Sequence, residues 1–308
     1  MMMRVGVDIG GTNIHVGLVD DHGSIVQKGV MLTDVQGGAE KIMCDAAGLV
    51  GKLCAKAGIG VQDLVSVGIG VPGPTHGSVA IRCVNLFWDH EDVGGMLSSF
   101  LNKRTYLGND GDCAIVAEWK FGALTGTHNA AMLTLGTGLG GGFLIDKRLL
   151  HGATGCAAEI GHVILRQGGI PCNCGLYGCA EQYCAAIGLI RAACEEARKC
   201  PESLLHQAGI TAKYVSDCVA AGDIAATNAR DQYAENLSDV LAGVTNLFDP
   251  QRVALGGGVA KCHGLLKEIR DRLKKKRVFA LNTVDVVLAK LGPDAGIIGA
   301  AVLDMMEA

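Results

Sequence analysis

The chain has 308 residues, more than the roughly 250–300 at which a single hydrophobic core usually stops growing, so two domains are expected. Its 19% charged and 49% hydrophobic residues exclude a disordered, collagen-like or coiled-coil chain, and a net charge of −4 supplies no basic field for nucleic acid or an anionic membrane. Glycine stands out: the 45 glycines of 308 residues are about double the ~7% norm and bunch between apolar strand-like runs, as backbone pressed against a small ligand would require.

Residues 4–9 (RVGVDI), 14–19 and 25–30 form three strand candidates, the first two joined through Gly10-Gly11 and the last two through Asp20-Asp21-His22-Gly23, which has hairpin chemistry. A helix is expected over about 38–57, a strand over 64–71 ending in Pro72-Gly73-Pro74, a strand over 104–107 and a helix over 112–122. The opening pattern then recurs: a strand at 130–135 (AAMLTL), the loop Gly136-Thr137-Gly138, and a strand at 139–145 turning through Asp146-Lys147. An internal duplication is the economical explanation, with each copy forming a mixed sheet flanked by helices. Beyond a cysteine-bearing loop segment at 151–179, helices are expected over 180–199 and 222–247, the second stopping at Asp249-Pro250. A strand at 252–255, the loop Gly256-Gly257-Gly258, a basic helix at 261–276, a strand at 284–289 and a terminal helix at 294–307 complete the chain. Lys274-Lys275-Lys276-Arg277 reads as a solvated helix end.

Thirteen cysteines, an odd number scattered through helix-like and strand-like stretches, argue against a disulfide framework and for a reducing cytoplasm. The start of the chain reads as a strand, with no targeting segment, and no run reaches the ~18 apolar residues of a membrane-spanning helix. A soluble cytoplasmic protein is expected.

Asp8-Ile9-Gly10-Gly11-Thr12-Asn13 joins two strands, so it is not the strand-to-helix phosphate loop of other nucleotide-binding folds. Consecutive glycines still let backbone N–H groups converge on an anion, Thr12 adds a hydroxyl, and Asp8 is placed to hold Mg²⁺ through water. Gly136-Thr137-Gly138 repeats the device, and Gly256-Gly257-Gly258 offers a third loop for the base end of a nucleotide. His162, Cys172, Cys174 and Cys179 lie 10, 2 and 5 residues apart, a spacing for a closed tetrahedral zinc site with structural rather than catalytic zinc. The remaining cysteines read as small buried apolar residues.

In this order, DIGGT (8–12), GVPGP (70–74), VNLFW (84–88), GND (108–110), GTGLGGG (136–142), AEIGH (158–162), CNCGLYGCAE (172–181), LFDPQRVALGGG (247–258) and DAGIIGAA (294–301) closely resemble the ROK family of sugar kinases, members of the actin-like superfamily. The resemblance implies a duplicated actin-like (ribonuclease H-like) α/β fold, with a first domain of 1–115 plus 294–308 and a second of 116–293 carrying the zinc loop. It implies an ATP-dependent transfer of the γ-phosphate to the primary 6-hydroxyl of a hexose, with Mg²⁺ and with Asp8, Gly10, Gly11, Thr12, Asn13, Gly136, Thr137, Gly138, Gly256, Gly257 and Gly258 around the nucleotide. Phosphoryl transfer needs a base beside the attacking hydroxyl. By resemblance that base is Asp110, although locally the residue also suits a helix N-cap.

By the same resemblance Gly73, Asn85, Asn109, Glu159, His162 and Glu181 contact the sugar, His162 through the ring nitrogen that does not bind zinc. For Gly73 a plain rigid turn is an equal alternative. Ala185 stands where the family often has serine or glycine, and Phe87 where a glycine or proline is usual. Glucose is the first choice of substrate, with N-acetylmannosamine, N-acetylglucosamine, allose, mannose and fructose as alternatives, and a homodimer or homotetramer is implied. The family also includes sugar-responsive repressors, which carry a DNA-reading segment ahead of the phosphate loop; with that loop starting at residue 8, an enzyme is expected rather than a regulator.

Overall fold

The computed structural model describes residues 2–276, 278 and 283–306, and the chain divides into two compact units. The first comprises the chain up to Gly126, Arg148–Ala157 and the segment from Lys290 onward; the second comprises Thr127–Lys147 and Ala158–Ala289. In chain order the elements are β1 (Met3–Ile9), β2 (Asn13–Val19), β3 (Ile25–Leu32), α1 (Gly38–Lys56), β4 (Leu64–Val71), β5 (Thr75–His76), β6 (Val79–Cys83), β7 (Trp88–Glu91), α2 (Val93–Leu101), β8 (Thr105–Asn109) and α3 (Asp110–Phe121). They continue with β9 (Ala130–Leu135), β10 (Leu139–Ile145), β11 (Arg148–Leu149), α4 (Glu181–Cys184), α5 (Ala186–Lys199), α6 (Ala212–Ala220), α7 (Ile224–Phe248), β12 (Arg252–Gly256), α8 (Leu265–Lys276), β13 (Asp285–Leu288) and α9 (Ala295–Ala301).

The first sheet runs β3-β2-β1-β4-β8: β1–β2 and β2–β3 are antiparallel, while β1–β4 and β4–β8 are parallel. In the second unit β10-β9-β12-β13 repeats the scheme, an antiparallel hairpin followed by parallel neighbours. The duplication read from the glycine loops is therefore a duplication of topology. The turn between β2 and β3 has the expected chemistry: Gly23 takes a φ of 77°, and the Asp20 carboxylate accepts the N–H groups of His22 at 2.9 Å and Ser24 at 2.8 Å.

One face of the first sheet packs Val5, Val7, Ile14, Val16 and Leu18 with Ile42, Met43, Val50 and Leu53 of α1. On the other side Val19 clusters with Cys113 and Val116 of α3 and with Ile297, Ala300 and Ala301 of α9. Glycine sets that second contact: a Cβ at Gly6 would come to 1.9 Å from Ile297 O, and one at Gly68 to 1.7 Å from Ala300 O. The helix lies directly on the strands.

The sequence-based elements shift in several places, and the basic helix expected from 261 starts at Leu265. α3 starts at Asp110 rather than 112, because Asn109 is its N-cap, with Oδ1 accepting the Asp112 N–H at 2.7 Å. As α3 runs unbroken to Phe121, the first unit extends to Gly126, takes in Arg148–Ala157 and resumes at Lys290, where 1–115 plus 294–308 was expected. The helix expected over 180–199 breaks at Ala185, whose ψ of 178° is extended. There the Ala186 N–H donates to Gly136 O at 2.9 Å and the Tyr233 hydroxyl donates to Cys184 O, so tertiary bonds satisfy the groups a continuous helix would have paired. The terminal helix stops at Ala301 and gives way to a 3₁₀ turn over Leu303–Met306.

Three features are absent from the sequence-based elements: α2, capped by Asp92; α6, capped by Thr211 and followed by Gly222 at a φ of 84°, both of which the sequence signals plainly; and the small sheet β5-β6-β7, whose strands are too short to show a period. In the lysine run, Lys274 pairs with Asp271, and Lys276 with Glu235 and Asp239, while Arg277 lies outside the described residues. Among the described residues no helix is long and apolar enough to cross a membrane.

Candidate functional site

In the first unit the turn between β1 and β2 is tied down from a distance. Gly10 N–H donates to Asn13 O at 2.9 Å, the Thr33 N–H donates to Thr12 O at 2.9 Å, and Thr33 Oγ1 donates to Gly10 O at 2.7 Å. Thr33 was missed from sequence, because only the pairing of β2 with β3 carries it back to the turn. Among the described residues the N–H groups of Gly11 and Thr12 make no hydrogen bond, and both residues are exposed, so this turn presents two free donors to an anion. Asp8 is the next-to-last residue of β1, which leads into this turn.

Asp110 is the first residue of α3, where the helix dipole favours an acid. Its Oδ1 accepts the Gly111 N–H at 2.8 Å. A side chain can be open to water at its tip and still lose much of its hydration shell, and Asp110 is such a case: the residue is exposed, yet desolvation raises its carboxyl above the usual range, against the lowering effect of the Gly111 N–H. Asp8 is raised as well, by burial first and then by the negative charge of Asp110; His15 and Lys28 act in the opposite sense. The structure thus brings Asp8 and Asp110 close enough to repel.

Capping of α3 falls to Asn109, so Asp110 is spared that task, while the Oδ1 of Asn109 is spent on it. Asn85 is exposed in the 3₁₀ turn over Val84–Leu86, and its Cβ lies 3.3 Å from where a Cβ on Gly11 would stand, so the sugar-loop candidate borders the phosphate-loop candidate. At Gly73 a Cβ would meet Arg82 O at 2.2 Å, and the Gly73 N–H donates to Val71 O at 3.0 Å. Close approach of β6 is sufficient reason for glycine there. Phe87 holds a φ of 56° and is 82% exposed between the buried Leu86 and Trp88.

In the second unit Gly136, Thr137 and Gly138 form the β9–β10 turn, closed by Gly136 N–H donating to Gly138 O at 3.0 Å. Glu181, at the start of α4, accepts the Leu139 N–H at 3.1 Å through Oε2. Glycine is needed at 138, where a Cβ would come to 2.6 Å from that same oxygen. The third loop follows β12: Gly257 has a φ of 83° and leaves room only for hydrogen beside Leu135 O, which a Cβ would approach to 2.3 Å. Both glycine loops of this unit therefore sit at the end of β9.

Glu159 is the N-cap of the 3₁₀ turn that ends at His162, and the His162 N–H donates to Glu159 O at 3.1 Å, so the backbone of one turn holds both residues. The turn is entered through strain: Ala158 holds a φ of 68°, and Glu159 is the middle of a γ-turn closed by Ile160 N–H to Ala158 O at 2.7 Å.

His162, Cys172, Cys174 and Cys179 converge, all four ligand atoms lying within 4.8 Å of one another. Cys174 Sγ and Cys179 Sγ are 3.6 Å apart, and Cys172 Sγ is 3.9 Å from His162 Nδ1. Ligands about 2.3 Å from a tetrahedral ion stand ~3.8 Å from each other, so these separations fit a single four-coordinate metal ion. The Leu176 N–H holds the Cys174 thiol below its usual range, which favours the thiolate that metal binding needs. Cys172 also reaches Glu181 Oε1 at 3.9 Å, so Glu181 joins the cluster to the β9–β10 turn.

Known proteins carry the same design along the whole chain. The profile of the ROK family matches residues 4–306. A glucokinase from Halalkalibacterium halodurans is 34% identical over 96% of this chain and 92% of its own, and a glucokinase from Thermotoga maritima is 34% identical over 96% and 95%. Among solved structures, a ROK family glucokinase from Streptomyces griseus in complex with glucose and AMPPNP superposes with a TM-score of 0.81 at 33% identity, covering 98% of both chains. With two matched sheets, paired glycine turns and the motif residues in place from one end to the other, the chain belongs to the ROK family.

Proposed function

We infer that this protein is an ATP-dependent hexose kinase that phosphorylates the primary 6-hydroxyl of its sugar, with glucose as the preferred substrate. The observation that carries this reading is the near-full-length likeness to glucokinases in a chain that keeps an exposed, proton-hungry carboxylate at the start of α3.

Asp110 is the proposed base. It accepts the proton of the sugar hydroxyl as that oxygen bonds to the γ-phosphorus, and the bond from the γ-phosphorus to the bridging oxygen breaks to release ADP. A raised carboxyl suits this role, because a stronger base takes the proton more readily. Asn109 and Asn85 are proposed to hold neighbouring sugar hydroxyls, with Glu159, His162 and Glu181 as the sugar ligands of the second unit and Gly73 as a backbone contact. The N–H groups of Gly11 and Thr12, with Gly10, Asn13 and the loops Gly136-Thr137-Gly138 and Gly256-Gly257-Gly258, are proposed to receive ATP.

Two acids that repel each other, Asp8 and Asp110, suit a divalent cation, and Asp8 is the residue proposed to hold Mg²⁺ through water. Such an ion offsets charge on the phosphates in transfer. The thiolate-rich set of His162, Cys172, Cys174 and Cys179 favours zinc, and four protein ligands leave no open position, so its role is to hold the segment that bears Glu159 and Glu181.

Coupled measurement of ADP release with a panel of hexoses tests the reading. Glucose should give the highest kcat/KM, and Asp110→Ala should lower kcat by about 10²–10⁴ with glucose binding largely kept. An Asp110→Ala protein as active as wild type would refute the assigned base, and a panel without turnover would refute the kinase.

A further inference from the structure

Glu118, in α3, has no role in the site described above, yet its side chain is fully buried, at 0% exposure. A carboxylate near the C-terminal end of a helix opposes the macrodipole, and burying it costs more unless it is well paired. Three backbone N–H groups pair it. Oε2 accepts from Ala123 at 2.7 Å, while Oε1 accepts from Lys290 at 2.8 Å and from Leu291 at 2.7 Å.

The donors come from two distant segments. Ala123 lies just before the chain first leaves the first unit at Gly126, and Lys290 is where it returns for the last time. Lys290 and Leu291 also lead into α9, which crosses α3 so closely that a Cβ at Gly299 would stand 1.6 Å from Cys113 O. At its N-terminal end α9 backs Asp8, where a Cβ at Gly296 would meet Asp8 Oδ2 at 2.7 Å; at its own N-terminal end α3 carries Asp110. The two helices behind the two acids are thus joined by glycine contact at the first turn of α3 and by Glu118, which ties the last turn of α3 to the segment leading into α9.

We propose that Glu118 is a positioning residue for phosphoryl transfer: by binding both segments it sets α3 against α9 and so sets Asp110 relative to Asp8. The role rests on the kinase reading given above. Asp110 and Asp8 act on opposite ends of the event, one on the sugar proton and one on the phosphates, so a small error in their separation reduces the rate without removing either ligand's own contacts.

Glu118→Gln keeps the side chain's size but turns an NH₂ group on at least one N–H donor. It should lower kcat at least tenfold while KM for ATP and for glucose stays within about threefold, and the amides of Ala123, Lys290 and Leu291 should lose protection from hydrogen exchange before the rest of the first unit. Glu118→Asp, which keeps the charge on a shorter arm, should fall between this variant and wild type. A merely structural Glu118 predicts a lower Tm with kcat per folded molecule unchanged, and that result in either variant overturns the proposal. If neither variant folds, exchange in the wild type decides: three amides protected together with α3 support the link, and three that exchange within seconds overturn it. A wild type inactive on every hexose removes the kinase reading itself, whereas an active wild type with an unaltered Glu118→Gln kcat removes only the positioning role.

Discussion

Asp110 shows how two neighbouring polar residues divide the work at the head of a helix. Asn109 spends its Oδ1 on the Asp112 N–H, which leaves the next carboxylate free for chemistry and exposed to solvent. Its raised pKa fixes the sign of two effects. As the proposed base, Asp110 must be ionised, so kcat/KM should fall as pH drops through a midpoint above the ~3.9 of an unperturbed aspartate. For stability the same shift works in reverse. An acid raised in the folded state is a burden when ionised, absent below its unfolded pKa and fully present above its folded one. Asp110→Asn should therefore raise Tm at pH 7–8 and lose that advantage below about pH 4, read by thermal melts across the range; an unchanged or lower Tm at neutral pH would contradict the desolvation argument.

At the scale of elements, the segment around the cysteine cluster buries few of its apolar side chains, with Val163, Ile164, Leu176 and Tyr177 all exposed, and is closed by short turns. Gly178 holds a φ of 82° beside Arg166 O, Gly175 a φ of 92°, and two isolated bridges, Ile164 with Cys179 and Pro171 with Tyr177, are its only β pairing among the described residues. Order in such a loop has to come from a cross-link, and four ligands on one ion, as proposed, would supply it. Removing the metal with a chelator should lower Tm and raise the KM for glucose together, because Glu159 and His162 share a turn and Glu181 touches Cys172, while nucleotide binding survives in part. Elemental analysis that finds no zinc in active protein would defeat this prediction. The same segment explains the break at Ala185: α4 stays short so that Glu181 keeps its bond to Leu139 and Ala186 its bond to Gly136.

Over the whole chain, two copies of one sheet topology were legible before any coordinates, because a glycine turn between apolar strands recurs after about 120 residues and the ROK motifs follow in order. The four metal-ligand candidates were legible for a similar reason: they are close in sequence and their spacing is the signal. What pattern could not carry was the meaning of glycines inside strands. Gly6 and Gly68 look like weak points of β1 and β4, and they prove to be where α9 lies on the sheet. Gly68→Ala should therefore destabilise the protein by about 1–3 kcal/mol or more through overpacking, measured by denaturant unfolding, where an open site would have tolerated the methyl group. Thr33 at the β1–β2 turn, the burial of Glu118 between segments some 170 residues apart in sequence, and the break at Ala185 belong to the same class. Local periodicity, turn chemistry and ligand spacing act over a few residues and are written in the chain itself. Which backbone approaches which, and which acid is stripped of water, depends on partners brought together only when the sheets and helices close, so the tertiary structure alone decided them.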